Sequence, residues 1–503
     1  MLRKMLSCLS IILVCSTTLL FSQNLQKIHP LSDPLYRQVT HLYLLSSKAL
    51  PSTSGPYSQD ELLSMLERID YEMLKTQHER DLYNHISDEL SLPVKGDATF
   101  SYSLHLDLNT ELYAHTNTTD FISERDWAYG FDKRKPLARL SFETWPLDYF
   151  YSYFELTLMN NFGDLENKGR SLPSEQPNSL YGRSKLGTNI IMIPPNAVET
   201  IDLNFPYRSF VSFGSHNWSA QIGRDKLSWG TGKSGNLMIS NNMPYQQFGR
   251  FTTYHDTFKY TLVSSFFTHP IINEYDGDDT IGANNQDLLG DGIKMFLAHR
   301  VEFRLPGDRI GLAVSEAMMY QSVTGSIDLR FLNPVGFYHN NYIRGNSNSL
   351  LAFELDYTPI RGFNVYAQMA IDEITFAEVA APAANAKPDA FAYLAGIQGV
   401  AGVGKGLFTF SLEGIYADPF MYLREPFHRE TGQFGVGYDV IVRVLSNSME
   451  NLRYFQGYPH GGDLMALDLR LGYETIKKGR MQLGAFFMAH GIIDADSLWA
   501  LYT

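Results

Sequence analysis

The chain has 503 residues and a formal net charge of −13, from 41 Lys and Arg against 54 Asp and Glu. That acidic balance argues against nucleic acid as a partner, because phosphate recognition needs a basic stripe. The only two cysteines, Cys8 and Cys15, lie in the first 22 residues, so the rest of the chain has no thiol for a disulfide, a thiolate metal site or a cysteine nucleophile.

Arg3 and Lys4 precede an uncharged, mostly apolar run from Met5 to Phe21, and polarity returns at Ser22 and Gln23. This layout predicts a secretory signal peptide over 1–22, cleaved near Ser22. A retained membrane helix is the alternative, for which the run is only just long enough. No later run of 18 apolar residues follows, so no further membrane helix is expected.

Residues 23–96 predict a small periplasmic domain of two or three helices. Leu35, Val39 and Leu42 recur at helical spacing between Asp33 and Leu50. Ser58 and Glu61 form a capping-box pattern ahead of Leu62, Leu63, Leu66 and Ile69. Leu82, Ile86 and Leu90 mark a third helix over Asp81 to Leu90, and Pro93 and Gly96 close the region.

From residue 97 the apolar period drops from 3.6 to 2. Phe100, Tyr102, Leu104, Leu106 and Leu108 alternate with Ser101, Ser103, His105, Asp107 and Asn109. In a strand the two sets face opposite sides. The same alternation returns at Val301–Leu305, Leu351–Tyr357, Phe408–Glu413 and Leu467–Tyr473. A soluble β-sandwich also alternates, but about 400 residues of one pattern without a linker exceed what a single sandwich holds. The connections include both tight turns, such as Leu305-Pro306-Gly307-Asp308, and long polar loops. Tyr and Phe number 30 and 32, clustering at Trp145–Tyr151 and Phe420–Tyr422 as an interfacial belt requires. The expectation for 97–503 is therefore an all-β transmembrane β-barrel of about 16–18 antiparallel strands, set in outer-membrane lipid. The inward residues carry both signs of charge, which fits either an open pore or a lumen blocked by ion pairs.

One stretch is more specific: Gly223-Arg224-Asp225-Lys226-Leu227-Ser228-Trp229-Gly230-Thr231-Gly232, then Ser234-Gly235-Asn236-Leu237 and Ser240-Asn241-Asn242. It resembles the hallmark run of the Wzi-type capsule-assembly outer-membrane family. Phe331-Leu332-Asn333-Pro334 with His339, Asn348–Asp356 and Val365–Glu373 resemble further patches of that family. The resemblance implies an outer-membrane barrel with a periplasmic helical bundle, and a non-enzymatic, lectin-like role in binding capsular or other surface polysaccharide. Periplasmic export components are further expected partners; a porin-like diffusion channel is the alternative function.

Trp229 offers a flat apolar face and Arg224 and Asp225 a forked donor and an acceptor, a combination that suits a sugar ring. With Asn236 and Asn241 they form the candidate glycan site. The competing reading packs Trp229 into the loop and pairs Arg224 with a lumen carboxylate. Gly230-Thr231-Gly232-Lys233-Ser234 lacks the first glycine of a phosphate loop, since residue 227 is Leu. No zinc-protease or serine-hydrolase motif occurs, so neither catalysis nor a cofactor is expected. The acidic run Glu274–Asp279 is weighed as a calcium loop and read as a solvated one.

Overall fold

The computed structural model describes residues 24–91, 101–114, 135–147, 149–160, 186–189, 201–202, 207–270, 289–322, 326–327, 333–334, 336–339, 346–374, 389–423, 436–443, 451–476 and 479–493. The signal segment and the acidic run at 274–279 lie outside them.

Three helices come first: α1 (Pro34–Leu45), α2 (Gln59–Glu67) and α3 (Gln77–Leu90). Asp33 caps α1, with Pro34 at its first turn. α1 stops at Leu45, short of the expected Leu50, and Ser47 follows in the left-handed region. Ser58 caps α2 through the Glu61 amide at 3.2 Å. The Glu61 carboxylate turns to Lys259 instead of closing the expected box. The complete capping box is Thr76 with Glu79, and it starts α3 four residues before the expected Asp81. Leu35, Val39, Leu42, Leu62, Leu66, Leu82, Ile86 and Leu90 form one buried core between the helices.

The rest of the chain winds up and down as a single antiparallel sheet: β1 (Ser101–Leu108), β2 (Ala138–Leu147), β3 (Phe150–Asn160), β4 (Ser209–Ser215), β5 (Trp218–Asp225), β6 (Gln246–Tyr254), β7 (Phe258–Pro270), β8 (Leu289–Arg304), β9 (Ile310–Ser322), β10 (Ser347–Ile360), β11 (Phe363–Glu373), β12 (Ala390–Val403), β13 (Gly406–Ala417), β14 (Leu464–Thr475) and β15 (Gly479–His490). Each hydrogen-bonds to the next in chain order, and the two-residue strand Ile201–Asp202 adds to β3, making 16 strands in the sheet among the described residues. Every second connection is short; the others are long. In barrels of this kind short turns face the periplasm and long loops the exterior.

Period-2 alternation separates the two faces. Phe303, Phe353, Leu355, Leu412, Leu467 and Leu469 point outward and are exposed, whereas Arg300, Glu354, Asp356, Glu413 and Asp468 point inward and are buried. Apolar residues so exposed around a whole sheet belong against lipid. Phe303, Tyr357 and Tyr473 lie near the short-turn end of their strands, and Tyr393 and Tyr416 near the long-loop end, which gives an aromatic belt at each interface. Part of the expected belt turns inward: Tyr151 packs against Trp145 and Phe210, and Met421 and Tyr422 are fully buried. Tyr422, at φ 71°, donates its hydroxyl to the Leu237 carbonyl inside the lumen.

Residues 24–91 sit in the short-turn mouth, and the wall curls around them. Lys27 pairs with Glu143 of β2 and Arg37 with Glu474 of β14. The β8–β9 turn, Leu305–Asp308, holds Lys48 at 2.5 Å and Arg68 at 3.0 Å through Asp308.

Candidate functional site

The segment between α1 and α2 threads into the lumen, where buried wall charges grip it. Thr53 donates its hydroxyl to Glu354 at 2.6 Å and its amide to Glu302 at 3.2 Å, and Arg300 binds both carboxylates. Lys259 reaches Glu61 at 2.5 Å and the Ser54 carbonyl at 2.8 Å. Leu50 donates to Asp356 at 2.7 Å, and the Ala49 carbonyl accepts from Arg304. Charges this deep are tolerable only when paired and hydrogen-bonded. Arg300, Glu302, Arg304, Glu354 and Asp356, read from the sequence as mixed signs on the inner face, hold the helical domain.

A second layer comes from the loop between β5 and β6. Asp225 starts it, saturated by a two-pronged Arg208 contact at 2.7 and 3.1 Å, by Gln221 and by the Lys226 amide. The loop then dives inward. Ser228 and Trp229 pair antiparallel with Gly55 and Ser54 of the helical domain, and the Gly230 amide donates to Thr53. Trp229 is only 1% exposed, packed with Leu237, Ile239, Tyr422 and Tyr438 in the lumen core. Gly230 lies at φ 132°, and a side chain there would strike Asn236 and Gln368, so this step of the loop requires glycine.

The Gly-Thr-Gly-Lys-Ser run does cradle an anion, but one from the protein itself. The Lys233 and Ser234 amides and the Ser234 hydroxyl converge on the Glu413 carboxylate at 2.7–2.9 Å. Tyr366 donates to the same group at 2.8 Å. Asn236 accepts from the Gly232 amide and from Gln368, and donates to Ser228. Neither Glu413 nor Gln368 was singled out as a site residue. The available signal was the pair of successive amides after Gly232, which needs an acceptor when buried.

A third layer is the hairpin Asp439–Arg443 with Asn451–Phe455 near the long-loop end. Lys294 of β8 donates to the Asp439 carbonyl. Tyr438 donates to the Ala317 and Asn348 carbonyls of β9 and β10 at 3.2 and 3.0 Å.

Of the five sequence-derived glycan candidates, Asp225, Trp229 and Asn236 are buried within this packing. Arg224 is half-buried at the outer end of β5, its guanidinium 5.0 Å from the Tyr245 ring, which stacks on Tyr207. Asn241 is exposed on the wall of an interior cavity. The structure brings Trp229 and Asn236 into one loop and leaves Arg224 apart from them. Among the described residues no three His, Asp or Glu side chains gather as a metal site.

A lipid-facing apolar wall, short turns at one end, long loops at the other and a lumen packed with its own chain define an outer-membrane β-barrel with an occluded interior. The sequence profile of the family described as capsule assembly protein Wzi matches residues 160–451, more than half of the chain, and the chain belongs to that family. The solved structure of Wzi from Escherichia coli, described as an outer membrane protein involved in group 1 capsule assembly and a carbohydrate-binding β-barrel, is similar at a TM-score of 0.52. It is 14% identical, over 94% of this chain and 86% of that one. An anion-selective porin from Comamonas acidovorans (TM-score 0.33, 12% identity, 77% of this chain and 89% of that one) and OprB from Pseudomonas putida (0.29, 10%, 76% and 89%) are more distant. No curated protein matches the chain significantly in sequence.

Proposed function

We propose that this protein binds and organises capsular or other surface polysaccharide at the outer membrane, without catalysing a reaction on it. Family membership supports the polysaccharide, as does the carbohydrate binding described for the Escherichia coli relative. The observation that carries the binding role is the three-layer filling of the lumen: a barrel stacked with its own helices, loop and hairpin acts as a platform rather than a conduit. In this reading Arg224, with the Tyr207–Tyr245 stack, meets sugar at the outer rim, while Asn241 meets sugar that enters the interior cavity from the short-turn end. Asp225, Trp229 and Asn236 shape the loop that presents them. The periplasmic faces of α2 and α3 are where export components would dock.

The test is capsule retention. In an encapsulated strain lacking this protein, total polysaccharide should stay constant while the cell-bound share falls, and purified barrel should bind the isolated polymer. Unchanged retention together with no binding by the purified barrel would sink the reading. A steady open current in a planar bilayer would point to a diffusion channel instead.

A further inference from the structure

Between α1, the Gly230–Lys233 turn and the inner face of β12–β15 lies a cavity of about 350 Å³, within the size range of small-ligand pockets. Four cations line it: Arg37, Lys233, Arg470 and Arg480. Among the described residues the only carboxylate in its lining is Asp33, which is bound to His29 at 2.9 Å and to the Leu35 amide. The neighbouring carboxylates stand behind the surface. Glu474 takes Arg37 in a two-pronged contact at 3.1 Å, Asp468 takes Arg470 at 2.7 and 3.1 Å, and Glu413 is saturated by the loop amides.

Among the described residues, two of these cations have no carboxylate in ion-pair range. The Lys233 ammonium stands 6.0 Å from the centre of the Tyr366 ring, and Arg480 donates only to the side chain of Gln482. His41, 8% exposed, faces the same space, and its buried Nδ1 has no hydrogen-bond partner among the described residues. A buried polar atom left unpaired costs free energy unless something meets it. The stacked rings of Tyr36 and Tyr57, 4.4 Å apart, supply an aromatic wall. Arg480 and Gln482 are exposed beside the short β14–β15 turn, so the cavity opens toward the periplasmic end.

We infer that this cavity is a periplasm-facing binding site for an oxyanion carried on a sugar, with Lys233 and Arg480 binding the anion, His41 contacting a sugar hydroxyl, and the tyrosine wall packing against the ring. A carboxylate of an acidic sugar and a sugar phosphate share this chemistry. The oxyanion follows from the lining alone; the sugar that carries it rests on the polysaccharide reading above.

The test uses the full mature chain, folded in detergent and shown to be heat-modifiable. Titration calorimetry with trigalacturonate, its neutral methyl ester and inorganic phosphate reads the site directly. Trigalacturonate should bind, the ester at least tenfold more weakly, and Lys233→Gln and Arg480→Gln should each weaken binding about tenfold, the loss of one charge-assisted hydrogen bond. Arg480→Gln sits on an exposed edge and keeps the loop intact, so it reports even where Lys233→Gln folds poorly. Phosphate binding without trigalacturonate binding upholds the oxyanion site and assigns it to phosphosugars. Binding of neither anion, equal affinity for the ester, or wild-type affinity in Arg480→Gln overturns the inference. Capsule retention by Arg480→Gln cells separates the two readings. Retained capsule with no anion binding discards this site and keeps the polysaccharide role, while anion binding with capsule retention indifferent to the whole protein does the reverse.

Discussion

Trp229 of the lumen loop and Ser54 of the helical domain lie side by side as paired β-residues, so two segments 175 positions apart in sequence form one continuous floor inside the barrel. The indole sits at this junction, buried and with no partner for its Nε1 among the described residues. It therefore contributes volume rather than a hydrogen bond. Trp229→Ala should cost about 3–5 kcal/mol, the usual range for emptying a large aromatic site. Trp229→Phe, which leaves no orphaned acceptor behind, should cost much less. Urea midpoints of the detergent-folded barrel, with protease sensitivity of residues 226–245, measure both.

Removing the first layer tests the occlusion itself. Deleting 24–91 strips the wall of Lys27, Arg37 and the threaded segment at 49–58, and leaves Glu302, Glu354 and Asp356 facing open space. The barrel should still insert and remain heat-modifiable, because its lipid face is untouched. Its single-channel conductance should rise clearly above that of the intact protein. An identical closed baseline after the deletion would mean that the loop and hairpin layers seal the lumen unaided.

Glu413 anchors the Lys233–Ser234 corner of the second layer. Glu413 accepts from two loop amides, one hydroxyl and Tyr366. Glu413→Gln presents an amide N–H to donors that need acceptors, and should loosen the loop by about 1.5–3 kcal/mol, the worth of a hydrogen bond to a charged group. Faster proteolysis within 226–245, without loss of heat-modifiability, is the expected readout. Glu413→Asp, which keeps the charge but shortens the reach, should recover part of the protection.

The lipid-facing half of this fold is legible in the sequence because lipid imposes one rule, apolar residues at every second position, and Leu467, Leu469, Leu471 and Tyr473 obey it. The lumen imposes no such rule. Glu413, Arg300 and Lys259 read the same whether they meet water, one another or another part of the chain. Their partners are far away: Lys259 meets Glu61 across 198 residues and Arg37 meets Glu474 across 437. Trp229 illustrates the ambiguity at the site. An aromatic flanked by Arg and Asp after a glycine suits a sugar platform and a packed loop equally, and only the Ser54 pairing distinguishes them. A helix start was legible where the capping residue stands just ahead of an apolar run, as at Ser58 before Leu62 and Leu63. At Thr76 the capping residue lies ahead of a polar first turn, so the apolar stripe placed the start of α3 four residues late.

Docking of α3 should be acid-sensitive through Glu79. Burial raises the pKa of this carboxyl, but the Arg361 guanidinium and the Lys75 and Thr76 amides together outweigh burial and hold it below its ordinary value of 4.5. Arg361 lies in the β10–β11 turn and binds Glu79 at 2.5 Å, so the group ties the helix to the barrel rim. A carboxyl lowered in the folded state contributes stability that is fully present above the unfolded value and is lost as pH falls through the folded one. The tie should therefore hold at neutral pH and weaken progressively below about pH 4.5. Protease protection of Gln77–Leu90, followed from pH 7 to 3, should fall over that window in the wild type. Glu79→Gln should start less protected at pH 7 and change less with pH. An equal pH response in the two proteins would assign the acid sensitivity to another group.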